Sequence, residues 1–525
     1  ARTAHGGQPW VTTTDNHPVL GVSASVIDPT DSDIIYIGTG DGDAGDTYSI
    51  GVLRSTDGGT TWQTTGLNWD ISQTRRISKM LIDPGNANVL LAATNNGVYK
   101  SVDSGANWTR TATGNFKDIE FKPGDPSTVY AAGRTFLRST NGGDSFNQIT
   151  QGVPPSVQVI RFAIAVTPAN PNYVYILAGN QSAGFLGLYR SDNSGASFTT
   201  RSTSPNILGY APDGSTSGGQ AWYDLAIAVS TSDAEEVYTG GVNIWKSVNG
   251  GASWNINAYW FYPNQSIAYV HADIHSLDFH ATLGGAALYA GSDGGLWSTN
   301  DSGNSWTELS QGIETSQFYR FSNSPIDPGL IIGGTQDNGT NMLKNGSWTH
   351  VLGADGMEAV TDYSNANIMY GATQNGGLNR SFDGGQSFSS ATNGITENGS
   401  WVTPYVIDPE NPEIQYAGYQ RVWKTENRAG SWSPISNSFG INITVLTIAP
   451  SDAQTLYAGY TTGLFVTRDG GSNWPSIASG LPLGSAALRY VTVSDVDPEK
   501  IWAVFSGFSS GNKVFESTDA GASWT

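Results

Sequence analysis

The chain has 525 residues, a net charge of −20 and no cysteine, and these facts exclude several classes of protein. Disulfides and thiolate metal sites are excluded, and nucleic acid is disfavoured as a partner because phosphate binding needs a basic surface. No apolar run approaches the 18 residues of a membrane span, so membrane insertion is not expected. With 65 glycines and 13% charged residues, the composition favours short strands joined by tight turns.

Along the chain, alternating apolar runs are interrupted by Asn, Asp, Pro and Gly. Residues 79–94 and 444–460 are examples: each has an alternating run, a turn and a second run. A period of two residues predicts strands, and no segment keeps a helical period long enough to predict a helix. The sequence therefore predicts an all-β protein.

A short motif follows these strand pairs: Ser or Thr, any residue, Asp or Asn, any residue, Gly, two variable positions and an aromatic residue. The clear copies end at Trp62, Trp108, Phe146, Trp254, Phe388, Trp474 and Trp524, the degenerate copies at Phe198, Trp306, Trp348 and Trp432, and GGQPW ends similarly at Trp10. The spacing averages about 47 residues, the length of one four-stranded propeller blade. We expect the Asp or Asn to accept N–H bonds within a turn, and the aromatic ring to pack between sheets.

This motif resembles the Asp-box, or BNR-like, repeat of β-propeller proteins, and most closely that of repeat proteins exported by bacteria with type IX secretion. Sortilin-type receptors and two-propeller xyloglucan hydrolases share it. The resemblance implies about 11–12 four-stranded blades in two tandem propellers of the seven-bladed type, one of them incomplete, over residues 1–310 and 311–525. The alternative is a single ring of about ten blades. Because the chain begins and ends at a motif copy, we expect further blades and a C-terminal sorting module beyond it.

Four consecutive blades, between residues 217 and 360, carry reactive side chains just before their innermost strands, where propellers usually bind ligands. A glycoside hydrolase needs two carboxyl groups, one on each side of the scissile bond. The candidate catalytic carboxyl groups are those of Asp224, Asp273, Asp355 and Glu358, together with Asp337, which follows the inner strand of the third of these blades.

Aromatic residues accompany these carboxylates and are candidates for ligand binding, since flat rings stack on sugar faces. For the aromatic loop 258–263 the alternative is local packing beneath a long loop. The aromatic candidates are Trp222, Tyr223, Tyr259, Trp260, Phe261, Tyr262 and Tyr319, and Arg320 is a further candidate for ligand binding.

Two segments suggest metal binding. If 271–275 is a strand, its alternation places His271, Asp273 and His275 on one side, which suits a divalent metal; the alternative is a hydrogen-bonded polar layer closing the channel. In the segment 38–49, three carboxylates within six positions suit Ca²⁺, the only cofactor that the sequence suggests; the alternative is a turn capped by its own side chains. The three are Asp41, Asp43 and Asp46.

The sequence favours an exported, non-catalytic module at the cell surface or outside the cell. It would bind a protein or glycan, mediate adhesion, or belong to a larger extracellular assembly, because propellers are rigid platforms whose loops carry function. The alternative is a glycoside hydrolase that acts on a polysaccharide in a groove between propellers.

Overall fold

The computed structural model describes residues 13–19, 21–261, 266–280, 287–313, 316–507, 511 and 513–525. The regular secondary structure of these residues is mainly antiparallel sheet, together with two short 3-10 helices, Ile71–Gln73 and Gln374–Gly376. In the described parts of the chain, no helix is long and apolar enough to cross a membrane. The chain divides into two compact units, unit 1 at Ala1–Thr315 and unit 2 at Ser316–Thr525.

The described part of unit 1 contains six sheets in chain order. Sheet 1 is β1 (Val22–Ile27), β2 (Ile35–Thr39), β3 (Gly51–Ser55) and β4 (Gln63–Asn68); sheet 2 is β5 (Ile77–Asp83), β6 (Asn86–Thr94), β7 (Gly97–Ser101) and β8 (Thr109–Thr113); sheet 3 is β9 (Asp118–Lys122), β10 (Asp125–Ala132), β11 (Phe136–Ser139) and β12 (Asn147–Ile149). Sheet 4 is β13 (Val159–Val166), β14 (Val174–Asn180), β15 (Phe185–Ser191) and β16 (Thr199–Ser202); sheet 5 is β17 (Ala226–Val229), β18 (Val237–Gly240), β19 (Ile244–Ser247), β20 (Asn255–Tyr259) and β21 (Ala268–Tyr269); sheet 6 is β22 (Ile274–His280), β23 (Ala287–Ser292), β24 (Gly295–Thr299) and β25 (Thr307–Glu308).

The described part of unit 2 contains five sheets. Sheet 7 is β26 (Phe318–Asn323), β27 (Ile331–Thr335), β28 (Gly339–Lys344) and β29 (Ser347–Leu352); sheet 8 is β30 (Gly356–Thr361), β31 (Met369–Thr373), β32 (Gly377–Ser381) and β33 (Ser389–Ser390); sheet 9 is β34 (Tyr405–Ile407), β35 (Gln415–Gly418), β36 (Val422–Thr425) and β37 (Ser433–Pro434). Sheet 10 is β38 (Val445–Ala449), β39 (Asp452–Tyr460) and β40 (Gly463–Thr467), and sheet 11 is β41 (Ala487–Val493), β42 (Ile501–Ser506) and β43 (Val514–Ser517).

Each sheet is a meander whose consecutive strands pair antiparallel, apart from the short parallel pair β20–β21. The first strands of successive sheets in unit 1, from β1 to β22, contact one another, so the first strand of each blade is the innermost. In unit 2 the same contacts join β26 to β30, β34 to β38 and β38 to β41. The prediction of an all-β chain of four-stranded propeller blades is confirmed.

The hydrophobic cores lie between neighbouring sheets. Val52 of sheet 1 is fully buried against Ile77 and Leu90 of sheet 2, and Leu464 of sheet 10 is buried against Ile501 of sheet 11. A single blade has no such partner for its apolar faces, so each repeat is stabilised by the next one along the chain.

The recurring motif forms the turn between the third and fourth strands of a blade. In the first copy, the Ser55 hydroxyl donates to Asp57 Oδ1 (2.7 Å) and accepts the Gly59 N–H (2.8 Å), while Asp57 Oδ1 accepts the Thr61 N–H (2.9 Å). Hydrogen bonds from Thr61 lower the pKa of Asp57 to about 2. The same hydroxyl-to-side-chain bond begins at Ser101, Ser139, Ser191, Ser247, Thr299, Ser381, Thr425, Thr467 and Ser517.

Several of the motif's tryptophans connect their turn to the preceding sheet. The indole N–H groups of Trp254, Trp432 and Trp524 donate to acceptors at or beside the last strand of the sheet before their own. The prediction that a copy of the motif ends at Trp348 is wrong. There Asn345 and Gly346 both have positive φ (54° and 78°) and form a two-residue hairpin, which suits an Asn-Gly pair and replaces the longer turn. The copy at Trp10 lies outside the described residues.

Candidate functional site

In unit 1, a polar network joins inner strands from different sheets. Asp43, between β2 and β3, accepts hydrogen bonds from Arg161 Nη1 of β13 (2.8 Å) and His275 Nδ1 of β22 (3.0 Å). Asp293, which follows β23, lies 2.9 Å from His275 Nε2 and accepts the Tyr223 hydroxyl proton at 2.8 Å. All four carboxylate oxygens of the two aspartates are therefore engaged, and the network fixes the loops that carry them.

Both ring nitrogens of His275, at the centre of this network, lie within hydrogen-bonding distance of a carboxylate oxygen. Burial disfavours charge on His275, but its hydrogen bonds to Asp293 and Asp43 outweigh burial and raise its pKa to about 10. Burial also opposes ionisation of Asp43, yet the charge of Arg161 and the hydrogen bond from His275 hold the pKa of Asp43 well below its usual range. Because each ring nitrogen of His275 already faces a carboxylate oxygen, neither is directed to a metal in this arrangement.

Beside the network, two carboxyl groups are close enough to interact. Asp224, immediately before β17, is completely buried, and neither of its oxygens has a hydrogen-bond partner in the described part of the chain. Burial, and then the charge of Asp273, raise the pKa of Asp224 well above its usual value. Burial, and then the charge of Asp293, raise the pKa of Asp273 to about 6, and Gln220 Nε2 donates to Asp273 Oδ1 at 2.7 Å.

The predicted metal triad of unit 1 does not share a strand face. Strand β22 begins only at Ile274, and Asp273 just before it has a positive φ of 64°, so regular alternation does not extend back to His271. The His271 ring lies over Gly294, so close that a side chain at position 294 would collide with the ring. The three side chains therefore have different surroundings, and the expected single face is wrong.

In the acidic turn at 38–49, the carboxylates of Asp41 and Asp43 have different hydrogen-bond partners. Asp41 accepts the backbone N–H groups of Asp43 (2.8 Å), Gly45 (2.6 Å) and Asp46 (3.3 Å), whereas Asp43 is directed to Arg161 and His275. The contacts of Asp41 match the turn capped by its own side chain. The shared Ca²⁺ site remains a prediction that these contacts do not support.

The aromatic candidates of unit 1 form two groups. Trp222 is 47% exposed, and its ring lies 5.4 Å from that of Tyr223. Tyr259, Trp260 and Phe261 contact one another, Phe261 is 55% exposed, and Trp260 donates its indole N–H to the Tyr210 carbonyl (3.1 Å). Tyr262 lies outside the described residues. These rings pack against one another and also expose part of their surface. Ligand binding at these rings therefore remains a prediction.

In unit 2, two carboxyl groups with different surroundings lie at and just before β30. Asp355 accepts the Asp337 backbone N–H on Oδ1 (2.9 Å) and Gln374 Nε2 on Oδ2 (3.0 Å). The Glu358 side chain is 17% exposed, and among the described residues it forms an ion pair with Arg320, whose Nε lies 3.7 Å from Oε2. Burial raises the pKa of Glu358 to about 7 despite the opposing charge of Arg320. One group is thus fixed by two N–H donors, and the other can hold a proton near neutral pH.

An exposed indole lies close to this pair. Trp401, before β34, is 48% exposed and donates its indole N–H to the Tyr319 hydroxyl at 3.1 Å. Burial raises the pKa of Tyr319, and the negative charges of Asp355 and Asp337 raise it further. Unit 2 therefore brings together five sequence candidates: Tyr319, Arg320, Asp337, Asp355 and Glu358.

Comparison with known proteins gives distant relatives. No protein-family model matches the chain. It is 24% identical over 563 residues to a xyloglucanase of Paenibacillus sp., covering 96% of this chain and 48% of that protein. It is 22% identical over 648 residues to a xyloglucanase of Hypocrea jecorina strain QM6a, covering 96% of this chain and 74% of that protein. These relatives are glycan-degrading enzymes by name.

The chain spans about half the length of the Paenibacillus relative. A solved structure of an ancestral GH74 enzyme superposes with a TM-score of 0.52 at 15% identity, covering 97% of this chain and 84% of that one. At that identity the likeness shows the fold alone. These relatives contradict the prediction of a non-catalytic binding or adhesion module, and they favour the alternative of a glycoside hydrolase.

Sequence analysis missed four residues of these sites. Arg161 is a lone charge in the apolar strand VIRFAIAV, a signal that was available. Asp293 lies in a Gly-rich turn, GSDGG, where an aspartate is common for turn formation alone, so its presence did not indicate a site. Trp401 precedes an innermost strand just beyond residues 217–360, and Gln374 acts through a short 3-10 helix that the pattern did not predict.

Proposed function

We propose that this chain is a glycoside hydrolase that cleaves a β-glucan of the xyloglucan class, and that the carboxyl groups of unit 2 carry out the reaction. The similarity to xyloglucanases along 96% of the chain supports the substrate class. The observation that carries the proposal is Glu358, a desolvated and partly accessible carboxyl group that holds a proton near neutral pH.

Glu358 is the general acid. A glycosidic oxygen leaves as an alcohol only if a proton reaches it as the carbon–oxygen bond breaks, so the donor must be protonated at working pH. A carboxyl group with a pKa of about 7 meets this need, because an ordinary glutamate is almost fully ionised there. The Arg320 guanidinium, 3.7 Å away, stabilises the carboxylate that remains after proton transfer.

Asp355 is the partner carboxylate. In single-displacement hydrolysis, it takes a proton from the water that attacks the anomeric carbon, while Glu358 gives a proton to the departing oxygen. The sum is the addition of one water across the bond. The Asp337 N–H and the Gln374 side chain orient the two oxygens of Asp355.

Trp401 and Tyr319 supply a surface for a sugar ring. An indole that is 48% exposed and held in orientation by a hydrogen bond can stack against a pyranose face without a large loss of conformational freedom. Tyr319 lies on β26, which contacts the strand β30 that carries Glu358. A glucan bound at this surface would therefore pass the reacting groups.

Unit 1 is a weaker place for the reaction. Asp43 and Asp293 have both oxygens engaged, and Asp224 is sealed from solvent. None of these three offers an oxygen that is both free and accessible to a polymer.

The test is reducing-end release from xyloglucan and from mixed-linkage β-glucan. Glu358→Gln is expected to lower kcat by about 100-fold or more, as removal of a general acid does. The loss should be much smaller on an aryl glycoside whose leaving group needs no proton. The matched control is Glu426→Gln, an exposed glutamate of unit 2 paired with Lys424. An absence of turnover by the native chain on every polysaccharide, or full activity in Glu358→Gln, would refute the proposal.

We also infer that the protein is exported and that its repeats are of the Asp-box kind used by proteins of type IX secretion bacteria. The repeated hydroxyl–Asx–Gly turns and the absence of cysteine support this inference. Immunodetection in culture medium and cell fractions of the source bacterium tests it, and confinement to the cytoplasm would contradict it.

A further inference from the structure

Asp224 presents an electrostatic problem that the hydrolase proposal does not use. Its residue exposure is 0%, and neither carboxylate oxygen has a described hydrogen-bond partner, although its backbone N–H donates to the Gln220 carbonyl. A buried and unpaired carboxylate costs several kcal/mol or more, so folded proteins neutralise such groups with a partner, a proton or a cation.

A second carboxyl group makes the need greater. Among charged residues, Asp273 contributes most to the raised pKa of Asp224. The Gln220 side-chain amide donates a hydrogen bond to Asp273 Oδ1 at 2.7 Å. Its positive φ of 64° turns the chain just before β22, a conformation that a non-glycine residue adopts at a cost.

The neighbouring positive charges are already committed. His275 lies between Asp43 and Asp293, and Arg161 Nη1 contacts Asp43 and the Tyr223 carbonyl. Neither forms a described hydrogen bond with Asp224. Asp224 and Asp273 form a hydrogen bond with each other when one of them holds a proton, and the Gln220 amide donates to Asp273. A cation would take the place of that shared proton.

We propose that Asp224 and Asp273 bind a hard divalent cation of the size of Ca²⁺, with the Gln220 side-chain oxygen as a third ligand. Carboxylate and amide oxygens are the ligands that such cations take, and water completes a coordination shell of six to eight. Gln220, Asp224 and Asp273 come from the entry loops of two adjacent blades. The cation would therefore link sheet 5 to sheet 6 at the innermost strands β17 and β22.

This site differs from both metal sites that the sequence suggests. From the set His271, Asp273 and His275, the proposed site uses only Asp273. The imidazole of His275 already contacts a carboxylate through each nitrogen. The turn at 38–49 is not involved, because Asp41 caps its own backbone.

Terbium luminescence tests the proposal on the full chain, with Tb³⁺ as a Ca²⁺ analogue and the nearby Trp222 and Tyr223 as sensitisers. We expect saturable emission that Ca²⁺ displaces. Asp224→Asn and Asp273→Asn should each weaken binding by about tenfold or more, since each removes a charged ligand. The control is Asp213→Asn, an exposed aspartate of unit 1 that accepts the Ser215 N–H.

A thermal scan with and without Ca²⁺ gives a second readout that does not require Tb³⁺. A cation that binds only the folded state raises the Tm of the native chain, and Asp224→Asn should fold but lose that response. Absent binding, binding unchanged in Asp224→Asn, or binding lost only in Asp41→Asn would each overturn the proposal. Neither readout requires a substrate, so a failure here is distinct from a failure of the hydrolase proposal.

Discussion

Arg161 Nη1 lies 2.8 Å from Asp43 Oδ1 although 118 positions separate the two residues in the chain. The contact joins the loop of sheet 1 to the innermost strand of sheet 4, and His275 of sheet 6 completes it on the other carboxylate oxygen. Three blades that do not follow one another in sequence are thus connected through one carboxylate. Asp43 therefore acts as a structural link in unit 1.

Asp43→Asn is expected to lower the free energy of unfolding by about 1–3 kcal/mol, because it leaves two cationic groups without their shared carboxylate. The lower part of that range applies if solvent screens the site, since the Asp43 side chain is 29% exposed. Urea unfolding followed by tryptophan fluorescence measures it.

The control for this prediction is Asp144→Asn, which removes a surface ion pair with Lys100. An exposed pair contributes about 0–1 kcal/mol, so this change should be small. Equal midpoints for the two variants would show that Asp43 is an ordinary surface aspartate.

Ser381→Ala tests the recurring turn. The Ser381 hydroxyl is buried, donates to Asp383 Oδ1 (2.8 Å) and accepts the Gly385 N–H (3.0 Å), so its loss leaves a buried N–H without an acceptor. We expect a loss of about 1–2 kcal/mol in the free energy of unfolding. Ser389→Ala, at an exposed position in β33, is the control. Indistinguishable stabilities would mean that the turn is held by its backbone alone.

Much of the architecture was predictable because its determinants are local. The spacing of the motif gives the blade, and its Ser, Asp and Gly supply the bonds seen at Ser55, Asp57 and Gly59. The exception at Trp348 also has a local determinant, because the Asn-Gly pair before it favours a two-residue hairpin over the longer turn.

The sites were less predictable because their determinants are distant in sequence. His275 and Asp43 are 232 positions apart, and no local pattern indicates that one neutralises the other. The positive φ of Asp273 is likewise set by the surrounding fold, which is why alternation failed at His271. The candidates near Glu358 were found because residues before innermost strands share one end of a propeller.

Trp401→Ala tests the proposed sugar surface. Loss of a stacking ring should weaken glucan binding by about tenfold, and should raise KM more than it lowers kcat, since the ring is not one of the reacting groups. Trp348→Ala is the control, because Trp348 is similarly exposed (53%) on the outer strand β29 of the same unit. Affinity electrophoresis in xyloglucan gels measures binding, and equal retardation of both variants would contradict the assignment.

The pH dependence of activity should follow the protonation of Glu358. A general acid works only when protonated, so kcat/KM is expected to fall as pH rises through about 7. In Arg320→Gln the opposing positive charge is absent, and the fall should move to higher pH. An activity profile that is flat between pH 6 and pH 8, within about twofold, would remove Glu358 from this role.

The same group makes the stability of unit 2 depend on pH. The pKa of Glu358 is raised to about 7 in the folded chain from an ordinary value of 4.5, so the folded state binds a proton more tightly than the unfolded state does. Its contribution to stability is therefore complete below about pH 4.5 and is lost as pH rises through 7, by up to about 2–3 kcal/mol. Glu358→Gln cannot ionise, so its stability relative to the native chain should increase across that interval. Denaturant unfolding at pH 5 and pH 8 measures the difference. A gap between the two proteins that stays constant over this range would show that Glu358 ionises alike in the folded and unfolded states.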